Sequence, residues 1–285
     1  MAWVLYYYTP SGPAAGIFVA LFGLVTIVHF YQLIRTRTWF MVPFCIGGIL
    51  EIIGYIGRLL SSLETPDWTK GPYVIQSALI LIAPALLAAS IYMTLGRIIL
   101  LLDAEKCSLI RLQWLTKIFV SGDVLSFLMQ ASGAGVMVAN SNPSTGEHII
   151  LGGLFVQIIF FGFFMITSMV FEIRIRRNPS RASVELAHVR HRHMVALYIT
   201  SALILVRSVV RVVGYLQGYD GYLLRHEVFL YVFDALLMLA AMGVLQYTHP
   251  SEVNCLLGWS NKYLEKVFQT RRSVSRPAME MDGMA

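Results

Sequence analysis

Seven stretches of the chain pass almost without charge, at 14–34, 40–60, 74–101, 116–139, 148–172, 194–216 and 227–248. Each holds roughly 20 or more residues, enough at about 1.5 Å per residue to cross a hydrocarbon core about 30 Å thick. A barrel strand would need about ten residues of alternating character, and lipid offers an exposed backbone no partner, so the pattern predicts helices. The expected fold class is an all-α integral membrane protein, a seven-transmembrane helix bundle forming one domain over 1–248, with a polar cytosolic tail at 249–285.

Composition strengthens this reading. Of 285 residues 57% are hydrophobic and 13% charged, where a soluble domain carries about 25% charge, and the mean hydropathy is +0.67. A soluble enzyme is excluded. The net charge of +6 is a topology signal, because positive loops stay in the cytosol. With the N-terminus outside, the outer segments hold only Lys70 and Arg225. The inner segments hold fifteen Lys and Arg, among them Arg35, Arg37, Lys106, Arg111 and six arginines between Arg174 and Arg192. The expectation is N-terminus outside and C-terminus cytosolic. No basic patch stands apart from these loops, so no nucleic-acid partner is expected.

The first residues lack a basic region and a cleavage site, so no removable signal peptide is expected; Trp3 and Tyr6 to Tyr8 read as an interfacial aromatic belt. Cys45, Cys107 and Cys255 fall in or near the reducing side, so no disulfide framework is expected, and Cys255 reads as an inert thiol rather than an acylation site. No phosphate-binding G-x-x-x-x-G-K-[ST] motif occurs. The stretch 173–193 reads as a basic cytosolic loop, with His188, His191 and His193 solvated.

Ionisable residues at lipid-facing positions cost about 2.5–3.5 kcal/mol, so those inside spans face the interior and pair. Span two aligns Gly47, Glu51, Gly54 and Arg58 on one helical face; span six aligns Arg207, Arg211, Gly214 and Gly218. Span four aligns Asp123, Ser126, Gln130 and Gly133; span seven aligns Glu227, Tyr231, Asp234 and Met238. Counting from span ends at about 1.5 Å per residue puts Glu51, Arg207 and Asp234 at one depth, with Arg58, Arg211 and Glu227 in a layer nearer the outside. These six charges form a candidate paired network. His29 and Asp123, in the inner half, are candidates for a second pair. The charges either lock the helices together, with glycines permitting close approach, or line a polar pocket in which Glu51 and Asp234 meet a cationic or amphiphilic solute. Pro84 predicts a kink in span three, tolerated where neighbours satisfy the freed carbonyl. Short similarities between EIIGYI (51–56) and RVVGYL (211–216), and between PALLAA (84–89) and DALLML (234–239), suggest a 3+1+3 parallel repeat.

The strings GGILEIIGYIGR (47–58), QSALILIAPALLAASIYMTLGRII (76–99), GDVLSFLMQASGAG (122–135), LGGLFVQ (151–157), LVRSVVRVVGYLQGYDG (205–221) and HEVFLYVFDALLM (226–238) resemble the fungal lipid-translocating exporter family, the RTA-like proteins named for resistance to aminocholesterol. The resemblance implies seven-span proteins of fungal plasma or vacuolar membranes, linked to export or flipping of sphingoid long-chain bases, resistance to toxic amphiphiles and, in some members, porphyrin handling. It places Glu51, Arg58, Gln76, Pro84, Arg97, Asp123, Gln130, Gln157, Arg207, Arg211, Glu227 and Asp234 at the family's polar or kink positions. Gly214 departs from it, standing where the family carries a glutamate.

The expected function is a multi-pass transporter of amphiphilic lipids such as sphingoid long-chain bases, in the plasma membrane first and the vacuolar membrane second. Its partners are membrane lipids and the amphiphile. No enzyme activity, cofactor or metal is expected. The site is Glu51, Arg58, Asp123, Gln130, Arg207, Arg211, Glu227 and Asp234, with His29, Gln76 and Gln157 secondary. Proton exchange at Glu51, Asp123 or Asp234 is one route to energy coupling. The alternatives are a seven-span receptor or stress-signalling protein and, more remotely, an intramembrane zinc hydrolase of the alkaline ceramidase kind. The hydrolase needs several histidines around the metal, and only His29 lies well within a span.

Overall fold

The structure is a computed structural model and describes residues 8–65, 67–139, 143–217 and 221–259. It is all-helical over these residues. Helix α1 (Gly12–Thr36) opens with Pro13 in its first turn, where the missing N–H costs nothing, and closes on Arg37 in the left-handed region (φ 54°). Helix α2 (Val42–Leu63) likewise carries Pro43 in its first turn. Then follow α3 (Lys70–Leu101), α4 (Leu112–Ala139), α5 (Pro143–Arg177), the short α6 (Arg181–Glu185) and α7 (Ala187–Leu216). Beyond α8 (Tyr222–Arg225), the last long segment is α9 (Glu227–Leu230), a π-helical turn (Tyr231–Ala235) and α10 (Leu236–Tyr247). A final helix, α11, spans Ser251–Leu256.

Among the described residues six helices are long and apolar enough to cross a membrane: Gly12–Thr36, Trp39–Leu63, Gly71–Leu101, Ser144–Arg177, Ala187–Leu216 and Glu227–Leu256. The expected fourth span, 116–139, lies within α4. That segment is helical throughout but is not among the six, its apolar run being diluted by Asp123, Gln130 and several small residues. Apolar side chains point outward around the bundle, Ile27 68% and Ile159 66% exposed, a surface suited to hydrocarbon and not to water.

The helices pack antiparallel through small residues. A Cβ added to Gly57 of α2 would lie 3.1 Å from the Pro72 carbonyl, and one on Gly47 would lie 3.0 Å from that of Ala83, so α2 and α3 touch backbone to backbone. The same device joins α4 to α5, where Gly133 faces the Gly146 carbonyl and Gly153 faces that of Ser126, each at 2.8 Å from the added Cβ.

Two expectations need correction. The stretch 173–193 is mostly helix: α5 runs on to Arg177 and α7 starts at Ala187, helped by Arg176 pairing with Glu172 one turn back at 2.8 Å. His193 is buried there and not solvated, its Nε2 lying 3.0 Å from Glu252. Of the segment 249–285, expected as a polar tail, residues Ser251–Leu256 form helix α11, with Val253, Asn254 and Cys255 buried, and 260–285 lie outside the described residues. Both regions bury one side and expose the other, as with Ser183 and His193 or Val253 and Cys255, which an average of hydropathy does not reveal.

Candidate functional site

The charged residues of spans two, six and seven converge at the end of the bundle where α1 begins, but they form two clusters instead of one. In the first, the Arg58 guanidinium of α2 donates to Glu227 from Nη2 at 2.7 Å and from Nε at 3.2 Å. It also donates to the hydroxyls of Tyr231 at 3.0 Å and Tyr8 at 2.9 Å, and lies over both rings. Both carboxylate oxygens of Glu227 accept from the Ser11 amide, at 2.9 and 3.1 Å. This cluster therefore ties the start of α1 to α2 and α9. Arg58 is fully buried and aromatic faces cover it, which suits a weakly hydrated guanidinium better than an ammonium.

In the second cluster Asp234 is held by two arginines of α7, Arg207 on one oxygen and Arg211 on the other. The four-residue step between 207 and 211 places both guanidiniums on the face turned to the π-helical turn that carries Asp234. Asp234 itself sits in the π-helical turn, a local irregularity often found where a side chain must be re-aimed. Arg207 also donates from Nη2 to the Ile80 carbonyl of α3 at 2.8 Å. Pro84, four residues on, has no N–H for that carbonyl, so Arg207 satisfies the acceptor that the proline leaves without a helical donor.

Glu51 of α2 belongs to neither pair. It is completely buried, and neither carboxylate oxygen has a hydrogen-bond partner among the described residues. The charges that act on it electrostatically are Asp234, Arg207 and Arg211. The Tyr55 hydroxyl is likewise buried without a partner, and its ring stacks on Phe18 and Phe22. A small cleft of about 60 Å³ opens beside the Asp234 cluster, lined by Arg207, Arg211, Gly214, Phe229, Phe233 and Asp234 among others and not by Glu51 or Tyr55. Arg211 is its most exposed charge, at 21% of the side chain against 5% for Asp234.

The remaining expected residues lie elsewhere. Asp123 of α4 accepts from the Tyr92 hydroxyl of α3 at 2.9 Å. His29 places Nε2 3.0 Å from the Met242 carbonyl and its ring edge-on to Phe44. The expected His29–Asp123 pair therefore does not form, each having a nearer neutral partner. Arg211 joins Asp234 and not the Arg58–Glu227 layer, because its Nη2 reaches the π-helical turn that carries Asp234. Gln130 donates to Ser126, whose hydroxyl donates to the Gly153 carbonyl, both at 2.7 Å, stitching α4 to α5. Gln76 and Gln157 are buried. Gly218 and most of the N-terminal aromatic belt lie outside the described residues. Among the described residues no group of three His, Cys, Asp or Glu side chains is placed to hold a metal ion.

Sequence reasoning passed over three partners: Tyr92, Glu252 and Asn254. Tyr92 was the legible one, since a phenol in an apolar run normally seeks a polar partner. At the far end Arg97 stacks 4.0 Å from the Phe40 ring centroid and donates to Asn254 at 2.5 Å, and Glu252 meets Arg192 and His193.

Against known proteins, the RTA1 like protein family matches residues 44–255, which covers the Arg58–Glu227 and Arg207–Asp234–Arg211 ion pairs, α4 and α5, but not Tyr8 or Ser11 of the first cluster. The protoporphyrin uptake protein 1 of Saccharomyces cerevisiae is 40% identical over 274 residues, covering 83% of this chain and 88% of that protein. Protein RTM1 of the same organism is 36% identical, covering 84% of this chain and 89% of its own. The sphingoid long-chain base transporter RSB1 is 25% identical, covering 81% of this chain and 69% of its own. No solved structure matches significantly.

Proposed function

The chain belongs to the RTA1-like family of fungal membrane proteins, and from that premise we propose that it is a multi-pass transporter of amphiphilic lipids such as sphingoid long-chain bases. The observation that carries this reading is Glu51. Asp234 is spent on Arg207 and Arg211, and Glu227 on Arg58 and Ser11. Among the described residues Glu51 is the interior acid of this region with both oxygens unengaged. A long-chain base presents an ammonium on an acyl tail, so a buried carboxylate is the complement its head needs while the tail remains in lipid. The name of the long-chain base transporter among the relatives supports the same class. In this reading α4 completes a seven-crossing bundle with its N-terminus outside, in the plasma membrane, and export confers resistance to toxic amphiphiles.

A second substrate class has its own support. Arg211 is the charge the cleft exposes, beside Phe229 and Phe233, and the 40% identical relative is named for protoporphyrin uptake. A flat aromatic dicarboxylate is the amphiphile that such a lining suits.

The deciding experiment is reconstitution of purified protein in liposomes, scored for leaflet transfer of a labelled long-chain base and, in parallel, of protoporphyrin. Transfer of the base by wild type and its loss in Glu51→Gln, with unchanged thermal unfolding, is expected. No transfer of either compound overturns the transporter reading. Base transfer unaffected by Glu51→Gln overturns the role of Glu51, and transfer of protoporphyrin alone replaces the first substrate class by the second.

A further inference from the structure

Away from both charged clusters, α4 carries a carboxyl group with no cation beside it. Asp123 is buried, its Oδ2 accepts from the Tyr92 hydroxyl at 2.9 Å, and its Oδ1 has no partner among the described residues. The surrounding surface is aromatic. Tyr92 packs against Phe119 of α4 and against Phe161 and Phe164 of α5, the latter with ring centroids 4.5 Å apart, and Phe160 of α5 covers Gly122 next to Asp123.

The charged and titratable groups on the packed elements are accounted for. From α3 the group is Tyr92, in direct contact. The face of α5 turned to Asp123 presents phenylalanines, while Glu172 near the end of α5 pairs with Arg176. On α4 itself Lys117 lies over the Trp114 ring, 5.6 Å from its centroid, six residues from Asp123. Among the described residues no charged side chain acts on Asp123. It thus differs from Asp234, which two arginines clamp, and from Glu51, which lies within reach of the same arginines.

An unpaired carboxylate in an apolar interior is costly and is tolerated where it neutralises or works. We propose that Asp123 is a proton-binding site within the membrane, with Oδ1 taking and releasing the proton while Tyr92 fixes Oδ2, and that this site links transport to the proton gradient. The coupling half rests on the transporter reading above; the proton-binding half does not. Of the three acids open to proton exchange from sequence alone, the geometry selects this one. Asp234 would have to break two guanidinium bonds to accept a proton; Glu51, although its oxygens are also unpartnered, has Asp234, Arg207 and Arg211 acting on it, whereas no described charge acts on Asp123. Tyr92 acts as a positioning residue, holding the carboxyl so that the free oxygen points away from α3.

The test uses the full chain in detergent and dicyclohexylcarbodiimide, an apolar reagent that adds to protonated carboxyl groups in hydrophobic surroundings. Label mapped by mass spectrometry to the peptide containing Asp123 is expected. It should be lost in Asp123→Asn, retained in Asp123→Glu, and reduced in Tyr92→Phe. Thermal unfolding checks that each variant is folded, and Asp123→Glu keeps the test open where Asp123→Asn fails to fold. No label at any pH, or label only at Glu51 or another acid, overturns the proposal. In liposomes that transfer the amphiphile, an imposed pH gradient should accelerate transfer by wild type and leave Asp123→Asn unaffected; equal acceleration of both overturns the coupling. Failure of all transfer instead sinks the transporter reading and leaves the labelling result standing.

Discussion

Arg207 of α7 donates from Nη2 to the Ile80 carbonyl of α3, at 2.8 Å, and that carbonyl is the one deprived of its helical donor by Pro84. One guanidinium therefore serves two neighbours: it neutralises Asp234 and repairs the proline break. The proline-interrupted middle of α3 and the π-helical turn of the last span are held at a common point, so three helices depend on one side chain.

Replacing Arg207 by Met should destabilise the protein by about 3–5 kcal/mol, the usual loss when one partner of a buried ion pair is removed and the other stays charged. Arg207→Lys should fall between Met and wild type, because a single ammonium lacks the planar fork that reaches two acceptors. Thermal unfolding of the detergent-purified protein reads both. A wild-type midpoint for Arg207→Met would show that Arg211 alone suffices for Asp234.

Glu227 is the hinge of the other cluster. With both oxygens accepting from Ser11 and one from Arg58, it clips the beginning of α1 to the bundle. Glu227→Gln keeps the shape but halves the acceptor capacity and removes the charge. Hydrogen exchange in the 11–16 segment should speed up in this variant, while exchange in α2 near Gly47 stays as in wild type. Unchanged exchange at the start of α1 would assign its position to packing alone.

Much of this was legible in the sequence, for a physical reason: hydrocarbon tolerates few folds, so apolar runs and stray charges carry most of the information. Glu51, Arg58, Arg207, Arg211, Glu227 and Asp234 could be placed in the same half of the bundle by counting residues. Which charge meets which could not, since depth is set by sequence but azimuth by packing; Arg211 therefore went to Asp234, and His29 to a backbone carbonyl instead of Asp123. The helical character of 173–193 and of α11 was hidden because charged amphipathic helices look like loops when only hydropathy is read.

The glycines of α2 differ in what surrounds them, and substitution separates them. A Cβ on Gly57 would sit 3.1 Å from the Pro72 carbonyl and 3.3 Å from the Gln76 amide, backbone atoms that cannot rotate away. Gly57→Ala should cost about 1–3 kcal/mol by forcing α2 and α3 apart. Gly16 of α1 has nothing within 4 Å, so Gly16→Ala should be neutral or stabilising by up to about 1 kcal/mol from helix propensity. Unfolding midpoints of the two variants, measured side by side, decide whether close helix contact sets the order.

At the opposite end Arg97 determines whether α11 stays docked. Its guanidinium lies between the Phe40 and Trp259 rings, 4.0 and 5.0 Å from their centroids, and Nη1 donates to Asn254, which in turn donates to the Trp259 carbonyl. Stacking on two rings while donating in plane needs a planar cation, so Arg97→Lys should loosen α11 although charge is kept. Cys255 lies on that helix and is 3% exposed, which makes it a reporter: its reaction with a maleimide should accelerate several-fold in Arg97→Lys. Cys45, buried in α2, should remain slow, and Cys107, already half-buried, should react alike in both proteins. Equal Cys255 rates would show that the Glu252 contacts with Arg192 and His193 hold the helix without Arg97.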